Sequence, residues 1–481
     1  MSKVLKNIKD LFKNTSIEGL KFCIFSKNLY ERLFWTLVVI CTLACSGYVT
    51  ALFWNRYVSN PKRITLKTGF ASPLTVPFPG VTICNFNVAL VSKINNFLNK
   101  LDGTPEELNI VNETLSKWVA VEVITQTTSQ INSTNLELIQ NILDKNDYNE
   151  MRSILRQVTQ TCDELLIKCS WNKKPIKCNK IFEEIYIGSG RCCSFNYVPE
   201  TSNRKPVHTS KIGLFTGLKV WIKPEYNTRD FAGVGVIFHD PKDFPYKTEA
   251  RKTLSLGTLN YVHVEASRKG CSSTVKSLPI SQRQCIYEDE KKIDFFRKYS
   301  ITNCFIACKA EVFFKECHCI PHFFGFGHDK PVCTVEKLSC IEENNNVLKH
   351  NCDCPAECEF DVYKVVASST KILPTNNTIE NMGDLVFINI FFNIHHRIWM
   401  TDTINTSIYL WSSFGGIYSL FLGCSFISII EVFYYMVGKS IDLNMMTDQQ
   451  KKLMPTRNKI QIQTFKIEKQ PSKYPDIPFT N

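Results

Sequence analysis

LFWTLVVICTLACSGYVTALF, residues 33–53, carries no charge and matches the roughly 20 residues that a helix needs to cross a bilayer. A cleaved signal sequence would sit nearer the N-terminus with a shorter apolar core, whereas this run follows a long basic preface and reads as an uncleaved anchor. Working outward, FGGIYSLFLGCSFISIIEVFYYMV, residues 414–437, is a second candidate span, interrupted by Gly415, Gly416, Gly423 and the acid Glu431. No apolar stretch of spanning length lies between the two runs, so the intervening chain is expected on one side of the membrane. Lys3, Lys6, Lys9, Lys13, Lys21, Lys27 and Arg32 precede the first run, and Lys439, Lys451, Lys452, Arg457 and Lys459 follow the second. An excess of basic residues marks cytosolic flanks. Both ends are therefore expected in the cytosol and the middle outside.

Cysteine usage points the same way. Of the 21 cysteines, 17 lie between Cys84 and Cys358, a density expected of an oxidising compartment. Asn112, Asn132, Asn376 and Asn405 head glycosylation sequons in the same segment, whereas the sequon at Asn14 would be cytosolic and unmodified. The net charge of +12 does not imply nucleic acid, because the basic residues are dispersed and partly gathered beside the spans, where they set topology and meet anionic lipid. HExxH, P-loop, GxSxG and dinucleotide signatures are absent, and the chain is not read as an enzyme.

Along the middle, residues 64–84 alternate apolar and polar up to the turn PFPG, predicting strand. Residues 88–180 carry helix-like spacing, as at Leu136, Ile139, Ile142 and Leu143, and predict a peripheral helical region. Further β-type runs at 213–222, 233–239, 261–265 and 385–392 are expected to form one central sheet, and 288–315 reads as helix. The loop-rich stretch to Cys358 needs staples, each worth about 2–5 kcal/mol in such a module. Spacing alone leaves the pairing open. A zinc site at Cys317-His318-Cys319 or Cys352-Asp353-Cys354 would place vicinal ligands closer than the usual two-to-four residue spacer, and no metal is expected.

FPGVTICNFN (78–87), GRCCSFN (190–196), GLFTGLKVWI (213–222), GVGVIFHDPKDFP (233–245), LPISQRQC (278–285), YSITNCFIAC (299–308), CHCIP (317–321), CDCPAEC (352–358) and SSFGGIYSLFLGCSFISIIEVFYY (412–435) follow one another in this order. Together they resemble the epithelial sodium channel/degenerin family, closest to its insect pickpocket branch. The resemblance implies an α+β membrane protein with two transmembrane helices flanking a large disulfide-rich extracellular domain, with a central β-sheet and peripheral helices in a hand-like, acid-sensing-channel-like arrangement. Its expected segments are 1–32 cytosolic, 33–53 first span, 54–410 extracellular, 411–437 second span and 438–481 cytosolic tail, in the plasma membrane. It also implies the pairs Cys84 with Cys192, Cys169 with Cys178, Cys285 with Cys358, Cys304 with Cys354, Cys308 with Cys352, Cys317 with Cys340, and Cys319 with Cys333. Cys162 is expected to pair with Cys193, leaving Cys271 free.

By the same resemblance, Gly423-Cys424-Ser425 matches the family's Gly-x-Ser selectivity filter, at which three subunits converge. On residue types alone this small segment reads as a helix-packing face before it reads as a pore lining, and the resemblance reverses that order. Ser428 and Glu431 extend a polar stripe below it, and an acid in a span costs about 2.5–3.5 kcal/mol, so Glu431 either attracts cations or pairs with protein. Ser412 matches the position where bulky substitution locks degenerin channels open, and Ser419 the position associated with amiloride block. In TSIEGLKF (15–22) the family's His-Gly gating pair is replaced by Glu18-Gly19, which predicts unusual gating or dependence on a partner subunit that carries the histidine. The function implied is a pore-forming subunit of a trimeric, sodium-selective, amiloride-sensitive cation channel, homomeric or assembled with related subunits. Its only ligand would be the permeant sodium ion, without nucleic acid or cofactor. The alternative is a two-span cell-surface receptor or a non-conducting modulatory subunit.

Overall fold

The computed structural model describes residues 17, 19–59, 62–71, 75–118, 133–199, 203–228, 232–246, 251–296, 298–324, 330–344, 351–372, 382–392, 397–404 and 407–434. The chain divides into two compact units, Met1–Val58 with Thr406–Asn481, and Ser59–Asn405.

In the first unit a short helix α1 (Leu20–Phe25) precedes α2 (Leu29–Ser59), which contains the whole uncharged run and extends it at both ends. At 1.5 Å per residue its 31 residues reach about 46 Å. Glu31 in its first turn and Arg56 in its last complement the helix dipole. Its apolar side chains, among them Leu33, Phe34, Leu37, Ile40, Leu43 and Leu52, are exposed rather than packed. The hydroxyls along it turn inward to backbone carbonyls: Thr36 donates to Arg32 O at 2.7 Å, Ser46 to Leu43 O at 2.9 Å and Thr50 to Ser46 O at 2.7 Å. Such back-bonding satisfies polar groups where surroundings offer no partner.

The second unit starts with β1 (Lys62–Ala71) and β2 (Gly80–Asn85), followed by helices α3 (Val91–Leu98), α4 (Pro105–Trp118), α5 (Ser133–Lys145), α6 (Met151–Val158) and the single turn α7 (Cys162–Leu165). Strands β3 (Leu166–Trp171), β4 (Lys174–Ile176), β5 (Phe182–Ile187), β6 (Gly190–Phe195), β7 (Leu218–Ile222), β8 (Gly233–His239), β9 (Arg251–Ser255) and β10 (Thr258–Cys271) come next. After two short turns α8 (Ser273–Lys276) and α9 (Ile280–Arg283) come α10 (Ile301–Cys317), α11 (Leu338–Glu343), and strands β11 (Phe360–Lys371), β12 (Val386–Phe392) and β13 (Arg397–Ile404).

Instead of one central sheet, the strands build two. An eight-stranded sheet runs β1-β13-β10-β12-β7-β3-β4 with β11 on the other side of β10, and a five-stranded sheet runs β5-β6-β2-β8-β9. β10 organises the larger one: its first half pairs in parallel with β12, its last residues in parallel with β13, and β11 runs antiparallel along its whole length. The continuous apolar runs of β8 and β12 are those of strands covered on both faces. Between the sheets lies a core of Val81, Ile83, Phe238, Val262, Ile388 and neighbours, with Phe78 at its centre. The Phe78 ring stands 4.9 Å from Trp171 and 5.4 Å from Phe392, and truncating such a residue costs about 3–5 kcal/mol.

The helices pack a second core. Leu136, Ile139, Ile142 and Leu143 of α5 and Met151, Ile154, Leu155 and Val158 of α6 are buried at helical spacing against Phe97, Phe313 and Phe324. The helical region ends at Leu165, earlier than the sequence predicts, because Cys169 and Trp171 are drawn into pairing with β7. Residues 213–217 form a turn rather than strand, with Gly213 and Gly217 at φ +104° and +78°, and a Cβ on Gly217 would run into the Ile390 carbonyl. The predicted helix over 288–315 begins only at Ile301. There the Ser300 hydroxyl caps the Asn303 N–H at 3.1 Å, and the residues before it are held irregular by the Glu290 carboxylate accepting Tyr287 N–H and by Phe295 at φ +70°.

Candidate pore segment and stapled joints

The C-terminal apolar run is not one helix. It forms α12 (Ser407–Leu422) and α13 (Phe426–Phe433), bent by 77° at the intervening Gly423-Cys424-Ser425. The chemistry of those three residues accounts for the break. Gly423 adopts φ +62°, the left-handed conformation that commonly ends a helix, and its N–H bonds to Ser419 O at 2.9 Å. Ser425 then starts α13 as its N-cap: Ser428 N–H donates to Ser425 Oγ at 3.4 Å, and Ser425 N–H to Ser428 Oγ at 3.1 Å. Ser425 and Ser428 therefore meet, through a reciprocal cap instead of along a continuous helix face. The break leaves the last carbonyls of α12, where the helix dipole is negative, and the first N–H groups of α13 without intrahelical partners. Carbonyl and hydroxyl oxygens suit a hard cation.

Ser412 and Ser419 are both exposed on α12 and, two turns apart, lie on one face. Gly415 and Gly416 between them have no atom near where a Cβ would stand. Glu431 is half-buried on α13. At the other end of the same unit, Gly19 caps α1 at φ +84°, and a Cβ there would meet Val39 of α2 at 3.1 Å, while Phe22 stacks on Trp35 at 5.1 Å. Gly19 is thus the residue that lets α1 fold against α2. Glu18 lies outside the described residues, as do Asn132, Asn376, Asn405 and everything after Tyr434. Asn112 sits half-buried within α4.

Eight disulfides staple the second unit. They join Cys84 to Cys192, Cys162 to Cys193, Cys169 to Cys178, Cys285 to Cys358, Cys304 to Cys354, Cys308 to Cys352, Cys317 to Cys340 and Cys319 to Cys333. Cys271 is a free thiol. Two bridges tie α10 to the segment 352–354, and the Cys285 bridge ties the turn after β10 to the approach to β11.

One polar cluster was not legible in the sequence. At the end of β8, the buried His239 and the half-buried Asp240, Lys242 and Asp243 stand where the loop meets the N-terminus of α10. Lys242 Nζ lies 2.9 Å from the Glu357 carboxylate, and Asn303 locks the loop by accepting Phe244 N–H at 2.9 Å and donating to Lys242 O at 3.0 Å. Burial holds His239 down to about 4. Burial, then the neighbouring Asp240, lifts Asp243 to about 8. The charged letters HDPKD after an apolar strand were the available signal, but the letters alone do not show what closes over them.

The amiloride-sensitive sodium channel family model matches residues 11–435. The sodium channel protein Nach of Drosophila ananassae is 25% identical, over 90% of this chain and 87% of its own. Pickpocket protein 28 of Drosophila melanogaster is 23% identical over 90% and 78%, and the human bile acid-sensitive ion channel 23% over 89% and 85%. A solved proton-activated chloride channel aligns over 85% of this chain and 98% of its own at 8% identity and a TM-score of 0.27, too slight a likeness to carry an argument. With a family match across nearly the whole chain, an apolar N-terminal helix of spanning length, mixed sheets and a disulfide-stapled unit, the chain belongs to the amiloride-sensitive sodium channel family, whose members are ion channels and not enzymes.

Proposed function

We propose that the chain is a pore-forming subunit of a sodium-selective cation channel of the plasma membrane, with both ends cytosolic and residues 54–410 outside. In this reading α12, the break and α13 make the second span, and three subunits, identical or related, bring Gly423-Cys424-Ser425 around a common axis. The observation that carries the reading is the break itself. It lies within an apolar helix pair and frees carbonyl oxygens beside the Ser425 hydroxyl, at residues small enough to line a narrow ring. A sodium ion must exchange part of its hydration shell for oxygens to pass, and a symmetric ring of carbonyls and hydroxyls supplies them. Cys424 is small enough to permit this. Ser428 and Glu431 continue the polar path, where a carboxylate concentrates cations.

Ser412 and Ser419 share the exposed face of α12, which supports a pore-facing role for both, Ser412 in gating and Ser419 in amiloride block. Gly19 and Glu18 are assigned to gating, with the fixed negative charge of Glu18 standing where relatives carry histidine. Two-electrode recording of the wild type and Ser412→Phe in oocytes, each alone and with a related subunit, tests the reading. Ser412→Phe is expected to raise basal, amiloride-blocked sodium current several-fold. Absence of current in every combination overturns it.

A further inference from the structure

β10 ends at Cys271, whose register partner on β13 is Asp402. The Cys271 sulfur and both sulfurs of the Cys285–Cys358 bridge lie within 4.8 Å of one another. The thiol donates to the Cys358 carbonyl at 3.3 Å and is hydrogen-bonded to the Tyr287 hydroxyl. Cys285, Tyr287 and Cys358 form a small buried cluster with the half-buried Cys271 packed against it. Beside it Asp402 is 3% exposed, and its Oδ1 has no hydrogen-bond partner among the described residues, while Lys269 Nζ stands 3.7 Å from Oδ2.

A disulfide is opened by a thiolate that attacks one of its sulfurs. Buried bridges persist because no nucleophile reaches them; here a thiol is fixed against one.

We propose that Cys271, Cys285 and Cys358 form a thiol–disulfide exchange site, at which the bridge moves from Cys285–Cys358 to a bridge that includes Cys271. The Cys271 thiol gives its proton to a carboxylate or to water, with the orphaned Asp402 oxygen as the neighbouring acceptor. The thiolate attacks one sulfur of the bridge, the new S–S bond forms as the old one breaks, and the departing sulfur leaves as a thiolate that takes the proton back. One thiol and one disulfide exist before and after, so no oxidant or reductant is needed.

The exchange changes what the strand is tied to. Cys285–Cys358 joins the turn after β10 to the approach to β11, whereas a bridge through Cys271 fastens the end of β10 itself. That end holds β13 through Ser272 N–H and the Asp402 carbonyl at 2.9 Å, and β13 leads directly in sequence into α12. Burial first, and then the Asp402 carboxylate, push the Cys271 thiol up, with Glu359 adding to this and Tyr287 and Lys269 opposing it. Exchange is therefore slow at neutral pH and quickens as the solution becomes alkaline.

The test uses the full-length protein in detergent, held at neutral pH or at about pH 9, where a raised thiol begins to ionise. Samples are then quenched in acid denaturant with N-ethylmaleimide and mapped without reduction by peptide mass spectrometry. The expected result is label on Cys271 at neutral pH, shifting in part to Cys285 or Cys358 after the alkaline step, with the shift lost in Cys271→Ser. Label that stays on Cys271 at both pH values, or an opened Cys285–Cys358 bridge in Cys271→Ser as well, overturns the proposal. Should Cys271→Ser fail to fold, Cys358→Ser gives a second reading: a Cys271–Cys285 bridge is expected, and two free thiols would refute it. The map needs no current, so its failure is separate from failure of the channel reading.

Discussion

Asp243 shows how a single side chain couples this protein to pH. Its carboxyl, held at about 8 by burial and then by Asp240, keeps a proton in the folded state over a range where the unfolded chain, near 3.8, has released it. Stability from this group is thus complete below about 3.8 and is lost as pH rises towards about 8. Asp240, lifted to about 6 chiefly by burial, adds the same sign over a narrower window. Lys242 stays charged beside Asp240 and Glu357 although burial opposes it. Asp243→Asn removes the titration without removing the side chain's shape. In thermal melts of the solubilised protein, the midpoint of the variant minus that of the wild type is expected to grow with pH across this window, and a pH-independent difference would contradict the assignment. The sequence displayed these residues as HDPKD. It could not display their surroundings, which arise only when the β8 loop meets α10 and Glu357.

Disulfides and helix ends act at the scale of elements. Cys84–Cys192 ties β2 to β6 across 108 residues, whereas Cys169–Cys178 closes only 9. Loop-closure entropy puts the two at about 4.8 and about 2.6 kcal/mol. The double serine variant of the long bridge should therefore unfold at markedly lower denaturant than that of the short one, as followed by tryptophan fluorescence; equal midpoints would show that native-state contacts, not chain entropy, dominate. Elements with a strong period were legible, as at Leu136, Ile139, Ile142 and Leu143 of α5 or the apolar run of β12. The break at Gly423 was not, because a glycine in an apolar run is compatible with close helix packing, and Ser425 with Ser428 is a weaker capping signature than serine with glutamate. The start of α10 was misplaced for a similar reason: residues 288–299 have helical composition, but Glu290 is recruited to the Tyr287 N–H and Phe295 to a positive φ.

For the whole molecule, the decisive question is which side of a membrane each segment occupies. Epitope tags at the two ends are expected to bind antibody only after permeabilisation, while removal of Asn112, Asn132, Asn376 or Asn405 should delete one glycan each from the mature protein wherever that sequon is used. A tag stained on intact cells would reverse the assignment. The chain passes between the two units twice in sequence, from α2 to β1 and from β13 to α12. β1 and β13 are themselves paired from Lys62 with Ile404 to Lys67 with Trp399. The strands entering and leaving the stapled unit are therefore hydrogen-bonded to one another, so a displacement of one is carried to the other.

The sequence by itself determined the uncharged run of spanning length, the dense cysteines of the middle segment and the ordered motifs of the family, because each is written in local composition or in short-range spacing. Tertiary structure alone decided that there are two sheets, which cysteine is left beside which bridge, where the C-terminal helix breaks and which carboxyls lose water. Those outcomes depend on residues tens to hundreds of positions apart arriving at one place, and neither hydrophobic period nor spacing encodes the distance between them.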